Sequence, residues 1–415
     1  MLRNNETALS LSAQLTAEEI RTKLQQDPWM TSFGLLDAAP ARQVVGAVKN
    51  ADTGKALAVL LRNNPAGIVA GLNAAAKLLQ AEELFLAVPV AFAGDTRLAD
   101  TVQAAGLPLT LVYCDHVERR DWPDAAFVDV GTLAAVADVL TGGPACAVVQ
   151  ICGGKPTEVA YGTALSTLLP EGDVKAYVFD HAFFPPAIRE EVLTPDLVCN
   201  GGVIEVVSNN ECIVQRCKAE ISLLRPQCCG RCTFCREGLF QHYQIFDAIS
   251  RGRGKESDLP LAQEIGEAMA FSGNCSLGDR SSVPALTALK HFQPEIWAHI
   301  AKQTCPTENC SAFINYYIDP SKCQGCGACA KACPKHCIDA KPGFTSMIED
   351  YACSKCGECL PVCPNGAVQK CSGKLPKLPD RPQRLRGVPR AEGDEAPAEA
   401  RPRGGNRRRH HRDRG

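Results

Sequence analysis

Cys323-Gln-Gly-Cys326-Gly-Ala-Cys329-Ala-Lys-Ala-Cys333-Pro334 is echoed further along by Cys353-Ser-Lys-Cys356-Gly-Glu-Cys359-Leu-Pro-Val-Cys363-Pro364. One pattern is used twice: three cysteines at two-residue gaps, a fourth after three residues, then proline. Zinc ribbons take their ligands as C-x2-C pairs and have no use for a third cysteine at the same spacing. A cubane iron–sulfur cluster needs four thiolates converging on four iron corners, and a tight loop with two-residue gaps supplies three of them. The spacing therefore predicts two [4Fe–4S] clusters and a protein that moves single electrons. Gly325, Gly327 and Gly357 would let backbone amides approach the inorganic sulfurs.

The repeat resembles the bacterial ferredoxin signature, in which the fourth cysteine of each run serves the other cluster. Cluster I then takes Cys323, Cys326, Cys329 and Cys363, and cluster II takes Cys353, Cys356, Cys359 and Cys333.

The rest of the chain fits a protein rich in metal thiolates. Its 415 residues leave room for several domains, and its 23 cysteines are the outlying feature of its composition. Met1 to Glu18 is polar and mixed, without the apolar core of a secretory signal. No run approaches the ~18 apolar residues of a membrane span. Tight C-x2-C spacing without an export signal points to metal ligation in a reducing, cytoplasmic setting. A net charge of −2 gives no reason to expect a nucleic acid as partner.

The expected fold is multidomain, α/β and α+β. Residues 1–145 read as a shortened α/β domain. Thr16 to Gln26 is a capped helix, Val44–Val48, Leu84–Val88 and Leu109–Val112 are strand-like, and Ile68–Glu82 is helix-like. Residues 146–212 are short strand runs divided by Gly–Gly and Pro turns, a small β-rich domain. Residues 213–304 show helix-period apolar spacing, and 305–373 hold the cysteine repeat. From 374 to 415 the chain is Pro, Gly, Arg and Glu, expected to form a disordered basic tail.

A third cluster is predicted upstream. Cys229-Gly-Arg-Cys232-Thr-Phe-Cys235-Arg-Glu-Gly238 precedes Cys275-Ser-Leu-Gly-Asp279, again three close cysteines and one distant one. These stretches resemble the cluster site of the flavin- and NADH-binding subunit of complex I-type NADH dehydrogenases and NAD-linked [FeFe]-hydrogenases. The resemblance runs through residues 291–300 into the ferredoxin repeat, and residues 146–210 fall where that family has its SLBB-type β domain. It implies that Cys229, Cys232, Cys235 and Cys275 hold a cluster that relays electrons from reduced flavin. Two residues depart from the family's pattern. Phe234 stands where proline is usual, and Cys228, where a small polar residue is usual, becomes an alternative ligand or a redox-active spare.

The family's flavin site needs a glycine-rich loop whose amides close on phosphate. Residues 1–60 contain only Gly34, Gly46 and Gly54, and Lys49-Asn50-Ala51-Asp52-Thr53-Gly54-Lys55 keeps only the start of the family's flavin and nicotinamide stretch. FMN and NAD are therefore not expected, nor is an NADH dehydrogenase activity of the chain's own. The implied function is an electron-transfer subunit of a multisubunit oxidoreductase, partnered by flavin, [2Fe–2S] or catalytic subunits. Its rivals are an NADH:acceptor oxidoreductase with FMN at an atypical site, a nucleic-acid-binding Fe–S protein using its arginine tail, and a scaffold with structural clusters.

His299, Cys305 and Cys310 are a candidate zinc site without a visible fourth ligand. Cys114, Cys146, Cys152, Cys199 and Cys212 sit in apolar runs and read as small core residues. Cys217, Cys337 and Cys371 have no assigned role, with Cys337 read as packing.

Overall fold

The computed structural model describes residues 4–198 and 201–385. Two compact units result, one of residues 1–315 with 371–374, the other built around 316–370. The architecture is mixed α/β and multidomain.

The first unit begins with helices α1 (Glu6–Gln14) and α2 (Ala17–Gln25). Thr16 caps α2: its hydroxyl accepts from Glu19 N while the Glu19 carboxylate accepts from Thr16 N. The chain then alternates through β1 (Gln43–Ala47), α3 (Ala56–Asn63), α4 (Pro65–Leu79), β2 (Glu83–Val88), α5 (Thr96–Ala105), β3 (Leu109–Tyr113), β4 (Ala125–Asp129) and α6 (Val130–Leu140). The strands are parallel in the order β3-β2-β1-β4. Val44, Val45 and Ala47 of β1 are all buried, as both faces of a covered parallel sheet require. The Asn64 side chain accepts from Gly67 N and Pro65 opens α4, so this helix starts where its missing N–H costs nothing. A Cβ on Gly71 would stand 2.0 Å from the Leu133 carbonyl oxygen, and glycine alone lets α4 and α6 approach so closely.

A second sheet follows, built from β5 (Cys146–Ile151), β6 (Thr157–Ala160), β7 (Ala176–Phe179), β8 (Ala182–Phe184) and β9 (Val203–Val207), with the short α7 (Leu165–Leu168) beside it. Its order is β6-β5-β9-β7-β8. The β7–β8 turn holds Asp180 and His181 at φ of 43° and 73°, the left-handed pair that a two-residue hairpin with matching twist demands. Asp180 offsets that strain by accepting hydrogen bonds from Gly202 N and Val203 N at the start of β9.

The remainder of the first unit is helical: α8 (Ile213–Leu224), α9 (Thr233–Ser250), α10 (Asp258–Ser272), α11 (Ser276–Arg280) and α12 (Val283–Ala301). Pro294 lies inside α12, and Phe292 just before it leaves helical geometry. Buried polar groups join these helices to both sheets. His181 Nδ1 pairs with Glu220 on α8 at 2.7 Å, and His181 Nε2 meets Thr53 Oγ1 at 2.9 Å.

The cysteine repeat lies in the second unit. The elements of this part of the chain are β10 (Ile314–Ile318), α13 (Ala328–Ala332), β11 (Ile338–Asp339), β12 (Met347–Ile348) and β13 (Val368–Ser372), of which β10 begins and β13 ends in residues of the first unit. β10 pairs with β13 and β11 with β12. The chain keeps backbone partners into the expected tail: Gln383 N donates to Thr345 Oγ1 and Leu385 N to the Gly343 carbonyl. Residues 386–415 lie outside the described part. Among the described residues no helix is long and apolar enough to cross a membrane.

Candidate iron–sulfur sites and a candidate metal centre

In the repeat, each loop turns through glycine: Gly325, Gly327 and Gly357 have φ of 67°, 68° and 82°. These turns direct amides at sulfur. Gly325 N and Ser346 N donate to Cys323 Sγ, Lys355 N to Cys353 Sγ, and Ala367 N to Cys363 Sγ at 3.2 Å. Such N–H···S contacts stabilise electron-rich thiolates, so the donor set fits iron–sulfur ligation. Cys329, Cys333 and Cys359 are buried among Ile318, Ile338 and Val368, while Cys326 and Cys356 reach the surface. Burial pushes the Cys359 thiol up to about 11, helped by the neighbouring Cys353. Burial also opposes ionisation of Cys333 and Cys363, yet both thiols lie below their ordinary value because amides of the following C-P turns point at them.

The upstream quartet sits around helix starts. Cys232 precedes the first turn of α9, Cys235 lies within it, and Cys275 precedes α11. The positive end of α9 favours anionic sulfur there. Asn274 Nδ2 donates to Cys232 Sγ at 3.5 Å. Burial raises the Cys235 thiol, and Cys228 adds to the rise with its sulfur 3.6 Å away. From the first sheet, the loop after β3 reaches this quartet. Glu118, 2% exposed, accepts from Cys229 Sγ at 3.3 Å and pairs with Arg120 and Arg231. Arg119 N donates to the Asn274 carbonyl.

A cavity of about 320 Å³ opens beside Cys275, lined by Lys49, Asn50, Arg119, Asp129 and Ser276. It lies at the carboxyl ends of β1 and β4, where the strand order reverses, the usual ligand crevice of an open α/β sheet. The residues around it do not build a phosphate cradle. Lys49 is paired with Asp129 and Arg119 with Asp279. Gly54, the one glycine of the loop between β1 and α3, packs against Val203. At the start of α3 a first-turn amide is already taken by a carboxylate, with Ala58 N donating to Asp52 Oδ2.

The zinc candidate gains its missing ligand from far away in sequence. Cys212, His299, Cys305 and Cys310 are all buried, and their ligand atoms lie within 4.8 Å of one another. Cys212 Sγ is 3.6 Å from Cys310 Sγ and 3.3 Å from His299 Nε2, and Cys310 Sγ is 3.5 Å from that nitrogen. Zinc bonds of ~2.3 Å to sulfur and ~2.05 Å to nitrogen imply tetrahedral edges of about 3.8 Å (S–S) and about 3.6 Å (N–S). The three distances lie within about 0.3 Å of those edges. His299 Nδ1 is engaged by the Glu295 carbonyl at 2.8 Å, which turns Nε2 toward the sulfurs. The donor set therefore fits a tetrahedral ion.

Cys212 is buried in the helical core, as expected, and also joins this candidate centre; nothing in its spacing marks it for that, because its partners begin 87 residues on. Cys152 is exposed at a left-handed turn rather than packed. Cys217 is buried against the Pro284 carbonyl. Cys337 is buried against Cys333. Cys199 lies outside the described residues.

Fold and sites together define an iron–sulfur protein. Residues 217–299 match the NADH-ubiquinone oxidoreductase-F iron–sulfur binding region, and residues 316–339 match a 4Fe-4S binding domain. The chain is 35% identical over 139 residues to NADP-reducing hydrogenase subunit HndC of Solidesulfovibrio fructosivorans, covering 34% of this chain and 28% of that one. It is 27% identical over 148 residues to the F-type subunit of the NADH-quinone oxidoreductase of Mycobacterium tuberculosis, covering 36% and 33% respectively. The matched stretch is thus about a third of the length of these relatives. In structure the chain resembles one from the air-oxidized NAD+-reducing [NiFe]-hydrogenase, with a TM-score of 0.56 at 19% identity over 71% of this chain and 65% of that one. At that identity the likeness shows the fold alone.

Proposed function

We propose that the chain is an electron-transfer subunit of a multisubunit, cytoplasmic NADH dehydrogenase- or hydrogenase-type oxidoreductase, with three [4Fe–4S] clusters. Cys229, Cys232, Cys235 and Cys275 would hold one, Cys323, Cys326, Cys329 and Cys363 the second, and Cys353, Cys356, Cys359 and Cys333 the third. The supporting observation is that backbone amides donate to Cys323, Cys353 and Cys363 Sγ, that Cys232 and Cys275 sit at helix starts, and that Cys329, Cys333 and Cys359 are buried among apolar side chains. Bound clusters supply one-electron carriers. The chain's own residues hold the thiolates, shield them and donate hydrogen bonds to sulfur. Partner subunits carrying flavin, [2Fe–2S] or catalytic groups are expected, as the named relatives are themselves subunits.

On this reading residues 1–145 are a reduced flavin-type domain without FMN or NADH, 146–212 are SLBB-like, 213–304 helical and 305–373 ferredoxin-like. Cys212, His299, Cys305 and Cys310 bind zinc as a closed structural site. The cavity beside Cys275 favours a second reading, an NADH:acceptor oxidoreductase with FMN held atypically. Cofactor content of the anaerobically purified chain separates them. About twelve irons, one zinc and no flavin are expected. Stoichiometric FMN would establish the second reading, and about eight irons would remove the Cys229–Cys275 cluster.

A further inference from the structure

Cys337 has no place in a count of four thiolates per cluster, yet it sits among the cluster II cysteines. Its Sγ lies 3.4 Å from Cys333 Sγ, and both belong to the buried cluster against which Cys353 packs. The backbone holds it there. His336 N donates to the Cys333 carbonyl at 3.1 Å, and His336 stands at φ 51°, a left-handed conformation uncommon for a residue with a Cβ. That turn brings residue 337 back beside Cys333, and Glu349 N fixes it by donating to the Cys337 carbonyl at 2.8 Å.

The second half of the repeat is an internal control. Cys363-Pro364-Asn365-Gly366-Ala367 makes the same turn, with Gly366 at φ 55° and its N–H on the Cys363 carbonyl. The residue equivalent to Cys337 is Ala367, 2% exposed, whose N–H donates to Cys363 Sγ. The fold therefore asks only for a small buried residue at this point, and alanine satisfies it. The thiol of Cys337 is surplus to packing.

Each iron of a cubane carries three sulfides and one outer ligand, so two sulfurs in contact compete for one corner rather than filling two. We propose that Cys337 is an interchangeable ligand for the cluster II corner assigned to Cys333. This rests on the ferredoxin reading of the repeat. In the exchange the iron–Sγ bond of Cys333 breaks as that of Cys337 forms. The proton leaves Cys337 and ends on Cys333, and the iron keeps its oxidation state. Either arrangement leaves one thiol hydrogen-bonded to one ligating thiolate, from opposite sides of the corner. Such contacts tune cluster potential.

The test uses the full chain, purified anaerobically, as Cys333→Ala, Cys337→Ala, the double variant and Cys356→Ala, with iron content and EPR of the reduced clusters as readouts. Cys333→Ala and Cys337→Ala each keep the wild-type iron, and Cys333→Ala shows an altered cluster II signal. The double variant loses about four irons, as Cys356→Ala does. A Cys333→Ala chain that keeps the other clusters but lacks four irons is folded and overturns the proposal. If that variant does not accumulate, Cys333→Ser is compared with Cys333→Ser/Cys337→Ala, and equal iron in the two overturns it. Loss of no iron from Cys356→Ala overturns the ferredoxin reading itself, and this proposal with it.

Discussion

Asp52 shows what a single buried charge costs this chain. It lies in the loop after β1, 2% exposed, with Oδ2 accepting from Ala58 N and Oδ1 without a hydrogen-bond partner. Burial pushes its carboxyl up to about 6. A folded-state value above the unfolded one stabilises the fold fully below pH ~4, and that stability is lost as pH rises through about 6. Asp52→Asn should then add on the order of 3 kcal/mol at pH 7 and flatten the stability profile between pH 4 and 7. Denaturant unfolding across that range checks it; a profile as steep as wild type would show that Asp52 is not the source. Cys212 makes the complementary case for a buried metal ligand. Cys212→Ser should abolish zinc binding while leaving iron content unchanged, and metal analysis after dialysis reads both. Retained stoichiometric zinc would place the ion elsewhere.

At the scale of elements, close approach and closure decide stability. The α4–α6 contact depends on Gly71, where a Cβ would meet the Leu133 carbonyl carbon at 2.7 Å and its oxygen at 2.0 Å. Neither is the end of a flexible side chain, so the helices must separate. Gly71→Ala should cost roughly 3 kcal/mol or more, whereas Gly94→Ala, with open space at its Cβ, should be near neutral. Equal melting temperatures for the two variants would refute the packing account. The Cys212–His299–Cys305–Cys310 centre ties the start of α8 to the end of α12 and to the segment before β10. An ion bound there, as proposed, would anchor that segment. Zinc removal should therefore open 302–312 to limited proteolysis at a rate at least several-fold above that of the loaded protein. An unchanged cleavage pattern would mean that packing alone holds it.

Across the whole molecule, the cysteines divide by how their partners are spaced. The proposed ligands from Cys323 to Cys363 and in the Cys229–Cys275 quartet can be singled out along the chain because a cubane takes its ligands from short loops with a fixed rhythm. The strands at 44–48, 84–88 and 109–112 were readable from apolar runs, and their parallel arrangement from the alternation with helices. Cys212 could not be found this way, since a tetrahedral site constrains distance in space and places no limit on separation along the chain. Cys337 is buried in the core of the repeat, as expected, but nothing in the linear pattern says that a left-handed His336 returns it to Cys333. By itself, then, the sequence determined the iron–sulfur chemistry and the mixed α/β organisation. Each of these is written in local spacing, where a few neighbouring residues carry the whole constraint. Only the tertiary structure decided the fourth ligand of the metal centre, the reach of Glu118 to Cys229 and the crevice beside Cys275, because each joins residues brought together only when helices and sheets pack.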